Sequence, residues 1–144
     1  MQNDKDYIID GFSEKSKHRI VGFDKIREIW DCGDVCFHDS VIKSVAMSCD
    51  GIRVEVDVVG EAKGVTSDGY IDIERYRMSM LFTDICSISL ACDWVAQNGI
   101  TFTCYASFYE SDNGYLVFSS DKGKIWSGGI EIESISVAEE EEEE

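Results

Sequence analysis

The sequence contains no proline, only two histidines, and no apolar stretch close to the ~20 residues that a membrane-spanning helix needs. The absence of proline excludes proline-rich linkers and cis-proline turns, so the glycines are the main turn signals. The segment from Met1 to Asp6 lacks the basic and apolar regions of an export signal. We therefore expect a cytoplasmic protein that does not bind membranes.

Basic residues are also scarce. The chain has 13 Lys and Arg against 29 Asp and Glu, which gives a net charge of −16 over 144 residues. Removing the terminal run Glu139 to Glu144 still leaves −10. Because a negative surface repels phosphate groups, the charge argues against nucleic-acid binding. The same charge favours association with a basic partner.

The length predicts one compact domain, since domains cluster at roughly 100–150 residues. We assign residues 1–138 to a single domain, in which residues 1–21 form either a loose arm or a short helix through Ser13 to Ile20. Residues 139–144 are predicted to be a disordered acidic tail, because adjacent like charges repel and bury nothing.

The six cysteines and two histidines allow a disulfide or a zinc hypothesis. With no export signal, reduced cysteines are expected, and Cys86, Cys92 and Cys104 lie in alternating apolar patterns that predict burial. Cys32, Cys36 and His38 have a spacing that invites zinc, but no second close pair of ligands follows them. We therefore predict no metal and no cofactor.

Hydrophobic periodicity predicts one helix followed by strands. Phe23, Ile26 and Trp30 form an apolar stripe at helical spacing, with Gly33 just beyond it. From Val41 onward the period is two, with turn signals that include Asp50-Gly51, Asn98-Gly99 and Asn113-Gly114. A loop is expected over residues 60–69 and strands over 70–82 and 86–94. A change of phase within 70–82 indicates either a bulge near Glu74-Arg75 or two shorter elements, and a second change of phase lies near Ser134.

These elements predict a mainly β fold of about seven strands with one N-terminal helix. No alternation of strands and helices is present, so a parallel sheet is disfavoured. We expect an antiparallel sheet folded as a sandwich or a partly open barrel.

The segment Phe37-His38-Asp39-Ser40 is the main candidate for catalysis. Adjacent side chains in an extended chain point to opposite faces, so consecutive His, Asp and Ser do not form a relay. A structural turn is the favoured interpretation, in which Asp39 and Ser40 satisfy backbone amides, His38 does the same through a ring nitrogen, and Phe37 anchors the turn in the core. We therefore predict no enzymatic activity. The alternative is a small-molecule- or metal-dependent enzyme that uses the His38/Asp39 region.

The same segment, continued through Val41, Ile42 and Val45 and then Gly51 to Asp57, resembles the opening of small bacterial proteins with an aromatic-His-Asp-Ser start and a β-meander. Several such proteins look like immunity proteins of polymorphic toxin systems. The resemblance implies a cytosolic inhibitor that binds and blocks a toxin domain. It implies no particular binding residues, because such interfaces differ with every toxin.

The partner-binding residues are predicted from charge and from tyrosines on a polar strand face. No Lys or Arg occurs from Met78 to Asp121, and Thr101, Thr103, Tyr105, Ser107 and Tyr109 share one face of a predicted strand. Tyrosines on such a face either anchor an interface or cover the sheet. The predicted set consists of Asp93, Tyr105, Tyr109, Glu110 and Asp112. We expect a monomer or weak homodimer that occludes a cognate basic toxin; a structural domain of a larger assembly is a further alternative.

Overall fold

A computed structural model describes residues 11–30, 35, 37, 40–65, 67–69, 71–90, 100–101, 106–120 and 123–138, and for residues 61–64, 71–73, 90 and 100–101 it describes the backbone alone. The predicted mainly β fold class is confirmed, with two short helices where the sequence indicated one. The elements are β1 (Gly11–Phe12), α1 (Glu14–Arg19), α2 (Asp24–Ile29), β2 (Val41–Ser48), β3 (Gly51–Val65), β4 (Ile71–Leu90), β5 (Ile100–Thr101), β6 (Ala106–Glu110), β7 (Leu116–Ser120) and β8 (Gly123–Val137).

The described strands form an 8-stranded sheet in the order β1-β6-β7-β8-β4-β3-β2-β5. Every neighbouring pair is antiparallel except β1 and β6, which are parallel. The chain passes from Thr101 in β5, at one end of the sheet, to Ala106 in β6, near the other end. Five residue steps reach about 18 Å at most. The two ends of the sheet therefore approach each other, although the sheet is not closed.

The core lies on the inner face of this curved sheet. Alternate residues of β3 and β4 point inward and are buried, which confirms the period of two predicted for Ile52 to Val58. Helix α2 adds Phe23, Ile26 and Trp30 to the same cluster, as their helical spacing predicted. The Trp30 ring meets Tyr76 of β4 edge to face, with ring centroids 5.4 Å apart.

The segment 11–21 is attached to the sheet by backbone hydrogen bonds. Ser13 N donates to Phe108 O at 2.8 Å, and the Ser13 hydroxyl caps α1 by accepting from Ser16 N. Val21 lies parallel to β8, donating to Ile130 O at 3.0 Å and accepting from Ile132 N at 2.7 Å. Helix α1 is thus the short helix that the sequence offered as the alternative to a loose arm.

Two strand boundaries differ from those expected. Strand β3 runs through the predicted loop as far as Val65, because irregularities between Val59 and Gly64 let it stay paired with β4 opposite Glu74 and Arg75. Strand β4 joins two predicted strands into one, since Asp84 adopts φ 51 and a bulge follows at Cys86 without ending the pairing with β8. The glycine-rich segment and the breaks in alternation that predicted a loop and a strand boundary therefore correspond to irregularities and bulges inside long strands.

The phase change near Ser134 corresponds to a bulge in β8. Ser134 pairs with Ser79 and Ile132 pairs with Met80, which leaves Glu133 as the extra residue. Ile132 is buried, and Ile135 also packs against the core although it is an odd number of positions away. The bulge therefore keeps both isoleucines on the inner side of the sheet.

Candidate functional site

Of the five predicted partner-binding residues, the structure describes three. Asp93 and Tyr105 lie outside the described residues. Glu110 is the last residue of β6, and Asp112 is exposed in the turn that leads to β7. Because Glu110 adjoins this turn and Asp112 lies within it, residues 111–115 are the centre of the candidate site.

Tyr109 does not lie on an exposed face, which corrects its assignment to the binding surface. It is 1% exposed, and Ser107, on the same side of β6, is fully buried. Both faces of β6 and β7 are buried, apart from the last residue of each strand. Alternation separates the two faces of a strand, but it does not reveal whether the rest of the chain covers the more polar one. The surface defined below leaves Tyr109 out.

Arg19, the last residue of α1, contacts the end of β6, the 111–115 turn and β8. Its Nη1 donates to Gly114 O at 2.5 Å, and its Nη2 donates to Gly128 O at 3.2 Å. Nη1 also lies 3.3 Å from Glu110 Oε2. The single positive charge of Arg19 is therefore already engaged by a carboxylate and two carbonyl groups, and it positions the turn against β8.

Among the described residues, Asp84 of β4 and Asp112 of the 111–115 turn have no arginine or lysine partner. Both are exposed, and neither forms an ion pair in the part of the chain that the structure describes. Asp84 packs against Gly128, where an added Cβ would lie 2.8 Å from the Asp84 Cβ. The Gly128 carbonyl in turn accepts a hydrogen bond from Arg19, which also pairs with Glu110, so Arg19 holds the residue against which Asp84 packs.

Two aromatic side chains, one from the 111–115 turn and one from β8, contact each other in this part of the sheet. Tyr115 ends the 111–115 turn, and its ring meets Trp126 of β8 edge to face at a centroid distance of 6.4 Å. Both side chains are half-buried. A hydrogen bond with Cys86, reinforced by the charge of that thiol when ionised, raises the pKa of Tyr115.

We call Asp84, Glu110, Asp112, Tyr115 and Trp126 the acidic–aromatic surface. Sequence reasoning found two of its members as binding residues, Glu110 and Asp112. It recorded Asp84 only as part of the stretch without Lys or Arg, and it missed Tyr115 and Trp126. Those two follow an Asn-Gly turn and a Lys-Gly-Lys turn, and nothing in their local spacing indicates that they meet. Pairing of β7 with β8 brings the aromatic residues together.

Cys86 is exposed, which corrects the prediction that it is a buried hydrophobe. Ile85 pairs with Ser127 and Ser87 pairs with Trp126, so Cys86 is the extra residue of a bulge. Ile85 and Ile88 take the inward positions instead and pack against the core. Cys92 and Cys104 lie outside the described residues.

Two acids of the sheet, Glu133 of β8 and Asp57 of β3, have arginine partners within the chain. Arg53 forms a bidentate pair with Glu133 across β4, with Nε and Nη2 at 2.6 and 2.9 Å from the two carboxylate oxygens. Arg77 pairs with Asp57 in the same way at 2.8 and 3.1 Å. These carboxylates are therefore offset by arginines, in contrast to Asp84 and Asp112.

The Arg53–Glu133 pair predicts a pH dependence of stability. Hydrogen bonds from Arg53 hold the pKa of Glu133 below its usual value. A carboxyl group with a lowered folded-state pKa stabilises the fold above its unfolded pKa, and this contribution is lost as the pH falls through the folded value. The side chains are 39% and 28% exposed, so we expect Glu133→Gln to cost about 0.5–1 kcal/mol at neutral pH.

Urea denaturation of this variant at neutral pH and at a series of lower pH values checks the prediction, since the deficit should shrink as the pH falls below the ordinary pKa of a glutamate. Glu131→Gln is the matched control, because Glu131 is an exposed acid on the same strand with no ion pair among the described residues. A loss of unfolding free energy that does not change with pH, or an equal loss in the control variant, would contradict the assigned role of Arg53.

The Phe37-to-Ser40 segment is described at its two ends. Phe37 is buried between Phe12 and Phe108, with ring centroids 5.7 and 5.4 Å away, and Ser40 N donates to Phe37 O at 3.0 Å. Ser40 Oγ is buried and has no hydrogen-bond partner in the described chain. His38 and Asp39, like Cys32 and Cys36, lie outside the described residues.

The described residues contain no group of three or more His, Cys, Asp or Glu side chains placed to hold a metal ion. Within the same residues, neither helix has the length and apolar character needed to cross a bilayer.

No protein-family model, curated protein or solved structure matches this chain. The resemblance to immunity proteins therefore stands on the residues quoted for it, and the function is argued from the surface described above.

Proposed function

We propose that this protein is a cytoplasmic inhibitor of the immunity-protein type, which binds a basic toxin domain and occludes it without catalysing a reaction. The observation that carries the proposal is the acidic–aromatic surface, where Asp84 and Asp112 lack, among the described residues, the arginine partners that Asp57, Glu110 and Glu133 have. Carboxylates without an internal partner are free to pair with lysine or arginine of another protein.

The aromatic pair supports the same function. Tyr115 and Trp126 are half-buried and contact each other, so each presents part of its ring area to solvent. Large, rigid side chains of this kind are enriched in interface centres, and their ring faces attract cationic groups. Acids flanking such rings suit a partner surface rich in lysine and arginine.

The charge of the whole molecule supports fast association. With a net charge of −16, the protein generates a long-range negative potential that steers a basic partner toward it. Salt screens this attraction, with a Debye length of about 10 Å at 0.1 M and about 3 Å at 1 M. The association rate should therefore fall steeply as salt rises.

The proposal predicts that a neighbouring reading frame encodes a basic toxin domain, and the test measures the activity of that domain with and without the full chain. We expect stoichiometric inhibition and an association rate that falls with salt. Asp84→Asn with Asp112→Asn should weaken binding by about tenfold or more, because two exposed charges that face the partner are lost. Asparagine tolerates the left-handed backbone at position 84, so the fold should be retained.

The matched control is Glu28→Gln with Asp68→Asn, which removes the same charge from two exposed acids on α2 and the β3–β4 turn. Equal weakening by both variants would show that net charge acts alone and would remove the surface from the proposal. A neighbouring toxin domain that stays fully active in the presence of excess protein would refute the proposed function.

A further inference from the structure

Gly128 of β8 lies between β4 and the 111–115 turn and has no side chain to fill the space between them. On one side, Asp84 is opposite Gly128 in the register of β4 with β8. On the other side, Tyr115 is one position beyond the pair that Leu116 forms with Ser127. Gly128 is therefore flanked by a carboxylate from β4 and an aromatic side chain from the turn.

Trp126 lies on the same side of β8 as this space. Ile125 and Ser127 are buried, and side chains alternate along a strand, so Trp126 and Gly128 share the outer side. Two residues of a strand are about 7 Å apart, and the Trp126 and Tyr115 rings contact each other. We call Asp84, Tyr115, Trp126 and Gly128 the Gly128 subsite.

The Asp84 carboxylate depends on the absence of a side chain at position 128. Asp84 adopts φ 51, and a Cβ added to Gly128 would lie 2.8 Å from Asp84 Cβ and 3.4 Å from Asp84 Oδ2. The Asp84 side chain thus occupies the space that any larger residue at 128 would need, yet it remains exposed to solvent. Glycine at 128 therefore sets the position of this charge.

The Tyr115 side chain is held across β8. It forms a hydrogen bond with Cys86 of β4, while β8 lies between the two strands that these residues adjoin. Its backbone is fixed as well, because Tyr115 N donates to Ser111 Oγ at 3.1 Å and Tyr115 O accepts from Ser111 N at 2.9 Å. A ring that is already positioned loses little conformational entropy when a partner binds.

The nearest cation of the chain leaves this subsite negative. Arg19 donates to the Gly128 carbonyl and lies 3.3 Å from Glu110 Oε2, so its charge is offset by that carboxylate. The Asp84 carboxylate adds a second negative charge, which is exposed and has no ion-pair partner among the described residues. Charge complementarity therefore favours a cationic occupant.

We propose that the Gly128 subsite receives one arginine side chain of the basic partner, whose guanidinium group pairs with Asp84 and stacks against the exposed parts of Tyr115 and Trp126. This assignment rests on the proposed function, because it names the group that the acidic–aromatic surface recognises. Arginine suits the subsite better than lysine, since a planar guanidinium pairs with a carboxylate through two N–H groups and stacks on aromatic rings.

The experiment titrates acetyl-Gly-Arg-Gly-amide into the full chain and follows the indole N–H signals by NMR. Loss of one signal in Trp126→Phe identifies Trp126. We expect a saturable shift of that signal with a dissociation constant on the order of 1–10 mM, because one exposed ion pair and one ring contact give little affinity. The signal of Trp30, which is buried in the core, should not shift.

Two further peptides separate recognition of arginine from attraction by charge. The citrulline peptide has the same shape without the charge and should leave the Trp126 signal in place. The lysine peptide has the same charge and should bind about threefold or more weakly, because an ammonium group cannot stack or form the planar pair. Equal binding of the arginine and lysine peptides would overturn the proposal, and so would an unshifted Trp126 signal.

Gly128→Ala tests the location, because it displaces the Asp84 carboxylate without changing any charge. We expect the arginine peptide to bind about fivefold or more weakly. Gly129→Ala is the matched control, since its added Cβ would lie 2.7 Å from the uncharged Thr83 Oγ1 in the same pair of strands, and its affinity should stay within about twofold. Equal weakening by both variants would contradict the subsite.

Asp84→Asn provides a second test, which decides the question if urea denaturation shows that Gly128→Ala does not fold. It removes the charge without adding bulk, and it should weaken the arginine peptide as much as Gly128→Ala. Unchanged affinity in this variant would overturn the proposal.

These titrations contain no toxin domain, so they separate the subsite from the proposed function. Peptide binding by a chain that leaves a neighbouring toxin domain fully active would refute the inhibitory function and not the subsite. Inhibition by a chain that does not bind the arginine peptide would refute the subsite and leave the function standing.

Discussion

Replacing Phe108 with alanine should lower the free energy of unfolding by about 3–5 kcal/mol, because the lost ring leaves a cavity that the sheet cannot fill. Phe108 is fully buried, and its ring centroid lies 4.4 Å from that of Phe12, 5.0 Å from Phe118, 5.4 Å from Phe37 and 6.4 Å from Phe82. These rings come from four different parts of the chain. Aromatic pairs contribute beyond their buried area, so one truncation weakens several contacts together.

A loss of this size is a large part of the roughly 5–15 kcal/mol that stabilises an ordinary domain. Urea denaturation followed by tryptophan fluorescence measures it. Phe108→Leu is the matched control, since it retains most of the apolar volume and should cost about 1–2 kcal/mol. A deficit below about 1 kcal/mol for the alanine variant would contradict the central position assigned to this ring.

Replacing Gly22 with alanine should destabilise the protein by about 3 kcal/mol through two independent effects. Gly22 has φ +80, a left-handed conformation that costs an L-residue about 1–2 kcal/mol. An added Cβ would also lie 2.5 Å from the Ile132 carbonyl oxygen, which belongs to the backbone of β8. Relieving that contact requires the chain at Val21 to move away from β8, with loss of its two hydrogen bonds.

Gly69→Ala is the matched control for this variant. Gly69 has φ +86, and an added Cβ would meet nothing within 4 Å, so only the backbone cost of about 1–2 kcal/mol applies. The difference between the two variants in urea denaturation therefore measures the close approach of Val21 and Gly22 to β8. Equal losses in both variants would show that this approach contributes nothing.

Much of the strand pattern was predictable from the sequence. Asp50-Gly51 and Asn113-Gly114 signal turns, and both glycines adopt the positive φ that such turns require. The alternation from Ile52 to Val58 identified the inward face of β3, and the spacing of Phe23, Ile26 and Trp30 identified the buried face of α2. These features are local, because the period of side-chain direction follows from backbone geometry alone.

The candidate site was less predictable. Glu110 and Asp112 were found from the stretch without basic residues, but Tyr109 and Cys86 were assigned to the wrong environments. Tyr109 is buried because the second face of β6 is covered, and Cys86 is exposed because a bulge shifts the phase of β4 by one residue. The alternation of apolar and polar residues within one strand does not show whether other segments cover its polar face. It also does not show where a bulge shifts the alternation.

The sequence by itself determined the β class, the acidic charge, the principal turns and the inward faces of the regular strands. Each of these depends on residues that are close along the chain or on composition. Only the tertiary structure decided which of the described acids have an arginine partner and which aromatic residues contact each other. Those features depend on contacts between distant segments, such as Arg19 with Gly128, and on the order of strands in the sheet.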